Sequence, residues 1–286
     1  MTINKKEKIA LVIEGGGFKS VFSAGVLDAF IMNKFNPFDI YIGVSSGAMS
    51  LSYYITGQYK TYFSISKEVS VNEEFLSYKH ALSEQGYMDL KFLSGYAKKN
   101  NPLELQNLKE SIENKQFYIV ATNLNNGKSV YLEPNKKTIY KCLRATSSLP
   151  FFTKGKCTIN GIDLMDGGWS DPIPAKSAID FGANKIIVIR PNPLGYKING
   201  LSYLGLLAGY WWKNNKKIRD SFFKEHNHYN EAIDFLTKKH KNIEILQICP
   251  DNFLKSGMVG TKKEDLIQDY HCGLEKGMDF LNTNFL

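Results

Sequence analysis

Apolar residues in the first part of the chain fall into short unbroken runs separated by stretches of helical spacing. Lys8-Ile-Ala-Leu-Val-Ile-Glu14 is a continuous apolar run bounded by charge, the pattern of a parallel strand covered on both faces. Three glycines follow at once. Lys19 to Lys34 then carries Val21, Phe22, Gly25, Val26, Ala29 and Phe30 at helical spacing. Asp39 to Val44 reads as a second short strand, and Ser46 to Ile55 as a small-residue helix packed closely behind it. Strand, glycine turn, helix, strand, tight turn, helix is the opening of an α/β sheet.

Further along, Tyr59 to Asn101 is polar and aromatic-rich without a clear period, and predicts helices joined by loops. Gln116 to Asn123 is a strand, and Leu124-Asn-Asn-Gly-Lys supplies the hairpin turn into Ser129 to Leu132. Lys137 to Ser147 predicts a helix. Cys157 to Asp166 reads as a hairpin about Asn160-Gly161, with its returning strand ending on Asp166. Ala175 to Phe181 is a helix capped by Gly182, and Lys185 to Arg190 an apolar strand. Asn242 to Ile248 is the last expected strand and Lys263 to Leu281 the closing helix.

No linker, low-complexity tract or internal repeat interrupts the 286 residues, so one domain is expected over 1–286. Its motif-bearing core covers about 8–190, with a C-terminal helical and strand extension over 191–286. Hydrophobic residues make up 43% and charged residues 22%, which argues against disorder. The formal net charge of +8 favours an anionic surface, either acidic lipid head groups or nucleic acid. The lysines are scattered, with no block of five, so a solvated basic surface explains them equally well. Cys142, Cys157, Cys249 and Cys272 lack metal-ligand spacing and read as free thiols of a cytoplasmic protein. The N-terminal MTINKKEKIA leads into a strand rather than a secretory apolar segment. Leu201 to Trp212 is strongly apolar but too short to span a bilayer.

Three motifs carry candidate chemistry. Gly43-Val-Ser45-Ser-Gly47 places a serine on a tight strand-to-helix turn flanked by glycines, so its oxygen projects from the sheet ahead of a helix N-terminus. Gly15-Gly16-Gly17 after the first strand exposes successive backbone N–H groups, a concave anion site. That site suits an oxyanion or, alternatively, a dinucleotide phosphate. The dinucleotide pattern is incomplete, because its third glycine is Ser20 and no ribose-binding acid ends the next strand. Asp166-Gly167-Gly168 holds a carboxylate on a backbone able to turn sharply away from it; by itself such a motif is more often a plain turn. All three lie at predicted strand ends, where open α/β sheets gather their sites.

A glycine triplet with Lys19 two positions on, then GxSxG, then a distant Asp-Gly-Gly, resembles the patatin-like phospholipase family. The likeness runs from Lys8 to about Arg190 and includes Arg144-Ala-Thr-Ser-Ser-Leu-Pro150 and Asp171-Pro-Ile-Pro174. It implies a three-layer α/β sandwich with a mostly parallel central sheet. It further implies a lipid acyl hydrolase of phospholipase A or lysophospholipase type, working through an acyl-serine intermediate. Ser45 would be the nucleophile and Asp166 the base, without histidine. The Gly15, Gly16 and Gly17 amides would form the oxyanion hole, and Lys19 would hold the family's basic position. Gly43, Gly47, Gly167 and Gly168 would support the two turns. Neither metal nor organic cofactor is implied, and the partner is a lipid or acyl-ester substrate rather than nucleic acid. An ordinary carboxyl is a weak base for a hydroxyl, so this dyad requires a dry, preorganised site. The family's glycine at the end of the first motif is Ser20 here, which puts the close packing of that loop in question.

Two other readings stay open at this point. A Ser–His–Asp esterase would draw its histidine from His226, His228, His240 or His271, all after the acid as that fold requires. An acyl-lipid binding protein would keep the pocket without the chemistry. Leu201–Trp212, followed by Lys213, Lys216 and Lys217, fits a core helix or an interfacial lid on an anionic membrane. The sequence carries no sign that sets an oligomeric state.

Overall fold

The computed structural model describes residues 7–77, 79, 86–153 and 155–285. Residues 78 and 80–85 of the Tyr59–Asn101 stretch lie outside these, as do the N-terminal Lys5 and Lys6. β1 (Ile9–Ile13) leads through a 3₁₀ turn at Gly17–Ser20 into α1 (Val21–Met32), and β2 (Ile40–Val44) turns at Ser45 into α2 (Ser46–Ile55). Helices α3 (Thr61–Val69), α4 (Leu90–Asn100) and α5 (Leu105–Ser111) precede β3 (Gln116–Asn123) and its hairpin partner β4 (Ser129–Leu132). Next come α6 (Ile139–Thr146), the hairpin of β5 (Cys157–Ile159) and β6 (Ile162–Asp166), and a 3₁₀ turn at Gly167–Trp169. The chain continues through α7 (Ala175–Asp180), β7 (Lys185–Ile189), α8 (Tyr203–Trp211), α9 (Lys216–Phe223) and α10 (Glu225–Thr237). β8 (Glu244–Ile248) and α11 (Lys263–Asn284) complete it.

The strands form one sheet in the order β5-β6-β3-β2-β1-β7-β8, with β4 also paired to β3. β3, β2, β1, β7 and β8 run parallel, while β4, β5 and β6 are antiparallel additions. Every residue of β1 is buried, because both faces of the strand are covered. On one face Leu11 and Ile13 pack with Phe22, Val26, Leu51 and Tyr270 from α1, α2 and α11. On the other, Ala10 and Val12 pack with Ala178 of α7 and Ile233 and Leu236 of α10. The result is helix, sheet, helix: the expected three-layer, mostly parallel α/β sandwich.

The structure sharpens several expectations. The helix expected from Lys19 begins as the Gly17–Ser20 turn, and the unpatterned Tyr59–Asn101 stretch contributes α3 and α4. β8 extends the sheet beside β7, and α11 lies along α1. That helix pair is unusually close, because a Cβ on Gly25 would collide with the Tyr270 carbonyl and one on Gly273 with the Phe22 carbonyl. The two backbones touch where side chains would otherwise stand between them.

Gly273→Val should therefore force α11 away from α1 and cost about 1–3 kcal/mol or more, as overpacked cores do. Urea unfolding of wild type and variant measures it. An unchanged midpoint would show that the pair has room to relax.

Candidate functional site

β1 and β2 are parallel neighbours with Ile13 opposite Gly43, so the segments that follow them emerge side by side at one sheet edge. Ser45 sits on the β2–α2 turn with φ 53° and ψ −131°, a conformation strained for any residue bearing a Cβ. The flanking glycines serve contact rather than an unusual φ. A Cβ on Gly43 would stand 2.5 Å from Ala48 Cα, and one on Gly47 2.5 Å from the Glu14 carbonyl oxygen. The Ser45 N–H donates to Thr146 Oγ1 at 2.8 Å, and that hydroxyl donates onward to the Val120 carbonyl.

The Ser45 hydroxyl donates to Asp166 Oδ2 at 2.7 Å. Asp166 Oδ1 accepts the Gly168 N–H at 2.8 Å, and the Asp166 N–H donates to the Ser148 carbonyl at 2.8 Å. Thr122 Oγ1 donates to the Asp166 carbonyl at 2.8 Å. Gly167 packs against the Val120 carbonyl with no room for a side chain. The carboxyl is buried, and burial raises its pKa to about 6 against the opposing pull of the Ser45 and Gly168 donors.

The glycine triplet lies alongside. A Cβ on Gly15 would stand 2.9 Å from Ser45 Cβ, so the loop is pressed against the serine. The Gly16 N–H donates to Ser46 Oγ at 3.1 Å, and Ser46 Oγ lies 2.7 Å from Ser20 Oγ. The amides of Gly15 and Gly17 have no partner among the described residues. Lys19 Nζ donates to Asn192 Oδ1 at 3.4 Å. The structure brings the three motifs together, and behind them lies a group that the sequence did not reveal. Glu14 and Arg190 were read as the charged ends of apolar strands, and they form a fully buried pair at 3.1 Å. Tyr229 and Asn192 bond the same carboxylate. No spacing signal links those four positions.

Ser45, Asp166 and the three glycines line a cavity of about 490 Å³, within the usual range for small-molecule sites. Its walls are otherwise mostly apolar, and Ile65, Val69, Phe75 and Leu93 come from the stretch that showed no period in the sequence. None of the four candidate histidines lines this cavity. His228 Nδ1 bonds the Trp169 carbonyl at 2.9 Å and His240 Nε2 the Phe235 carbonyl at 2.8 Å. His226 is half-buried and His271 exposed.

Leu201–Trp212 becomes α8, which divides its residues. Gly205, Ala208 and Gly209 are buried, while Tyr203 is 77% exposed and Tyr210 and Trp211 are each 71% exposed. Trp212 turns inward onto Phe222, with ring centroids 5.5 Å apart. Ser202 and Leu204 line the cavity, so this helix is a wall of the site. No helix among the described residues is long and apolar enough to cross a membrane.

Comparison with known proteins adds five likenesses. A family model described as patatin-like phospholipase matches residues 11–179, and one described as a domain of unknown function (DUF6363) matches residues 215–285. The chain is 31% identical over 286 residues to the uncharacterized protein YjjU of Escherichia coli strain K12, covering 96% of this chain and 78% of that one. It is 24% identical over 211 residues to lysophospholipase NTE1 of Meyerozyma guilliermondii, covering 73% of this chain and 14% of that protein. Its fold matches the crystal structure of VipD from Legionella pneumophila at a TM-score of 0.51 and 12% identity, over 97% of this chain and 67% of VipD.

The histidine positions generate an expectation. Replacing His226, His228, His240 or His271 singly by Ala should leave fluorophosphonate labelling within about tenfold of wild type, since losing a general base costs roughly 10²–10⁴-fold. A folded variant that no longer labels would transfer the base role to that ring.

Proposed function

The chain belongs to the patatin-like phospholipase family of lipid acyl hydrolases, and on that footing we propose that it cleaves fatty acyl esters through an acyl intermediate on Ser45, with Asp166 as the base. One observation carries this reading: the 2.7 Å hydrogen bond from Ser45 Oγ to Asp166 Oδ2. Ser45 Oγ attacks the ester carbonyl carbon as its proton passes to Asp166. The tetrahedral oxyanion is held by the free amides of Gly15 and Gly17, while Gly16 fixes the loop by donating to Ser46. Collapse breaks the bond to the leaving alcohol, which takes the proton from Asp166. Water then attacks the acyl-Ser45 ester, again giving its proton to Asp166, and a second collapse releases the fatty acid and returns that proton to Ser45.

Burial makes this chemistry reasonable. A carboxyl raised to about 6 is a stronger base than an ordinary aspartate, yet it is ionised at neutral pH. The apolar walls suit an acyl chain, at about 0.8 kcal/mol for each methylene buried. The fold, with its four free cysteines, fits a reducing, cytoplasmic setting.

The exposed face of α8 supports a second element, contact with an anionic bilayer. Its aromatic residues are followed by the exposed Lys213, Lys216 and Lys217, and the chain carries a net charge of +8. Each such lysine contributes about 1 kcal/mol near anionic lipid, screened by salt. The face stands on the outside of a helix whose inner side borders the cavity, which gives substrate a short route from the membrane.

Ser45→Ala and Asp166→Asn should each lower ester hydrolysis by about 10²-fold or more with the fold intact. In wild type the rate should fall as pH drops through about 6, because a protonated Asp166 cannot accept the serine proton. A folded wild-type protein that binds lipid but neither labels nor hydrolyses would instead be an acyl-lipid binder.

Trp211→Ala should weaken sedimentation with anionic vesicles while sparing hydrolysis of a short soluble ester. Trp212 is left in place, because it packs on Phe222. Unchanged vesicle binding in the folded variant would end the membrane assignment.

A further inference from the structure

Residues 215–285, the segment matching the domain of unknown function, reach the glycine loop from two sides. On one side Tyr229 of α10 donates its hydroxyl proton to Glu14 Oε1 at 3.0 Å. Glu14 directly precedes Gly15. The same hydroxyl oxygen accepts from Arg190 Nη2 at 3.2 Å and Asn192 Nδ2 at 3.0 Å. Asn192 in turn accepts from Lys19, just beyond the triplet. One hydroxyl therefore joins the groups that fix both ends of the loop.

On the other side the Met258 carbonyl accepts the Phe18 N–H at 3.3 Å and lies so close to Gly17 that a Cβ there would collide with it. Met258 owes its place to α11. Both carboxylate oxygens of the buried Asp269 are used on the loop before it, accepting the N–H groups of Lys255 at 3.1 Å and Ser256 at 2.7 Å. Met258 and Val259 then line the cavity itself.

We infer that the C-terminal segment is a clamp on the oxyanion loop, with Tyr229 and the Asp269-anchored Met258 as positioning elements for the Gly15 and Gly17 amides. This rests on the reading of that loop as the oxyanion hole. Tyr229 and Met258 bear on the backbone at the two ends of the loop rather than on Ser45, so the clamp acts where the oxyanion forms, in the transition state. Hydrogen-bond donors aimed at a developing charge lose most of their value when displaced by an ångström.

The test uses the full chain. Tyr229→Phe removes the shared hydroxyl, and Asp269→Ala frees the loop that carries Met258. Each should lower kcat for a short soluble ester by about ten- to a hundredfold with KM within about twofold, since the lost interaction is made in the transition state. Fluorophosphonate labelling should slow in parallel. Asp269→Asn, which keeps one oxygen acceptor, should recover part of the loss. Thermal melts accompany each variant, and if Tyr229→Phe fails to fold, the loop variants at Asp269 decide. Wild-type kcat in folded Tyr229→Phe and Asp269→Ala would overturn the clamp, and so would losses that only track the folded fraction or appear in KM alone. Ser45→Ala separates the two levels. If it is inactive while the clamp variants behave as wild type, the clamp fails alone; if it stays active, the reading of the site fails with it.

Discussion

Everything in the candidate site depends on one backbone conformation, the turn at Ser45. A residue with a Cβ at φ 53° is strained by about 1–3 kcal/mol, so the surroundings must impose it. They do so by contact. Gly47 sits against the end of β1, Gly43 against α2, and the Ser45 amide is held by Thr146. Parallel pairing of β1 and β2 then fixes where the glycine loop emerges, and Gly15 has no side chain because Ser45 occupies that space. The sheet thus supplies both the serine and its candidate oxyanion donors from adjacent strands. Asp166 arrives from a different direction, on an antiparallel strand opposite Ala121 of β3.

Two buried acids in this region differ in how fully they are bonded, although burial raises the pKa of both. Asp166 has two polar partners for its carboxylate, the Ser45 hydroxyl and the Gly168 amide, and its burial is not fully offset. Such a group keeps an affinity for a proton, as a base must. Glu14 has more donors, with Arg190, Asn192 and Tyr229 all bonded to it, yet burial still outweighs them and raises its pKa. A buried ion pair of that kind is weak evidence for stability, because desolvation consumes much of the attraction. Its value lies in geometry. It links the end of β1 to β7 and α10, and every member loses a partner if another moves.

What the sequence revealed, it revealed through local signals. Continuous apolar runs marked β1, β2 and β7, and glycine spacing marked the turns at Ser45 and Asp166. Those features depend on neighbours along the chain. The Glu14–Arg190 pair joins residues 176 positions apart, and neither residue type announces burial. The α3–α4 region was illegible for a related reason. Its helices do present stripes at helical spacing, Tyr62, Ile65, Ser66 and Val69 on α3 and Leu90, Leu93, Ser94 and Ala97 on α4. Serine and tyrosine dilute those stripes, because they line a cavity rather than a flat sheet. α8 was half legible: the sequence showed an apolar segment with adjacent tryptophans, and only the fold separates an inward Trp212 from an outward Trp211.

Ser20 shows how a departure from a family pattern can be absorbed. Serine at a helix start normally caps the first turn, yet this one makes no cap bond. It is completely buried and its hydroxyl meets Ser46 instead. Ser46 is thereby held where it accepts the Gly16 amide. The Gly16 amide is spent on Ser46, while the amides of Gly15 and Gly17 have no partner among the described residues. A glycine at position 20 would provide the same backbone without that hold on Ser46. The hydroxyl pair therefore replaces packing with a hydrogen bond, and the loop's shape is set from below by serines as well as from its ends by charge.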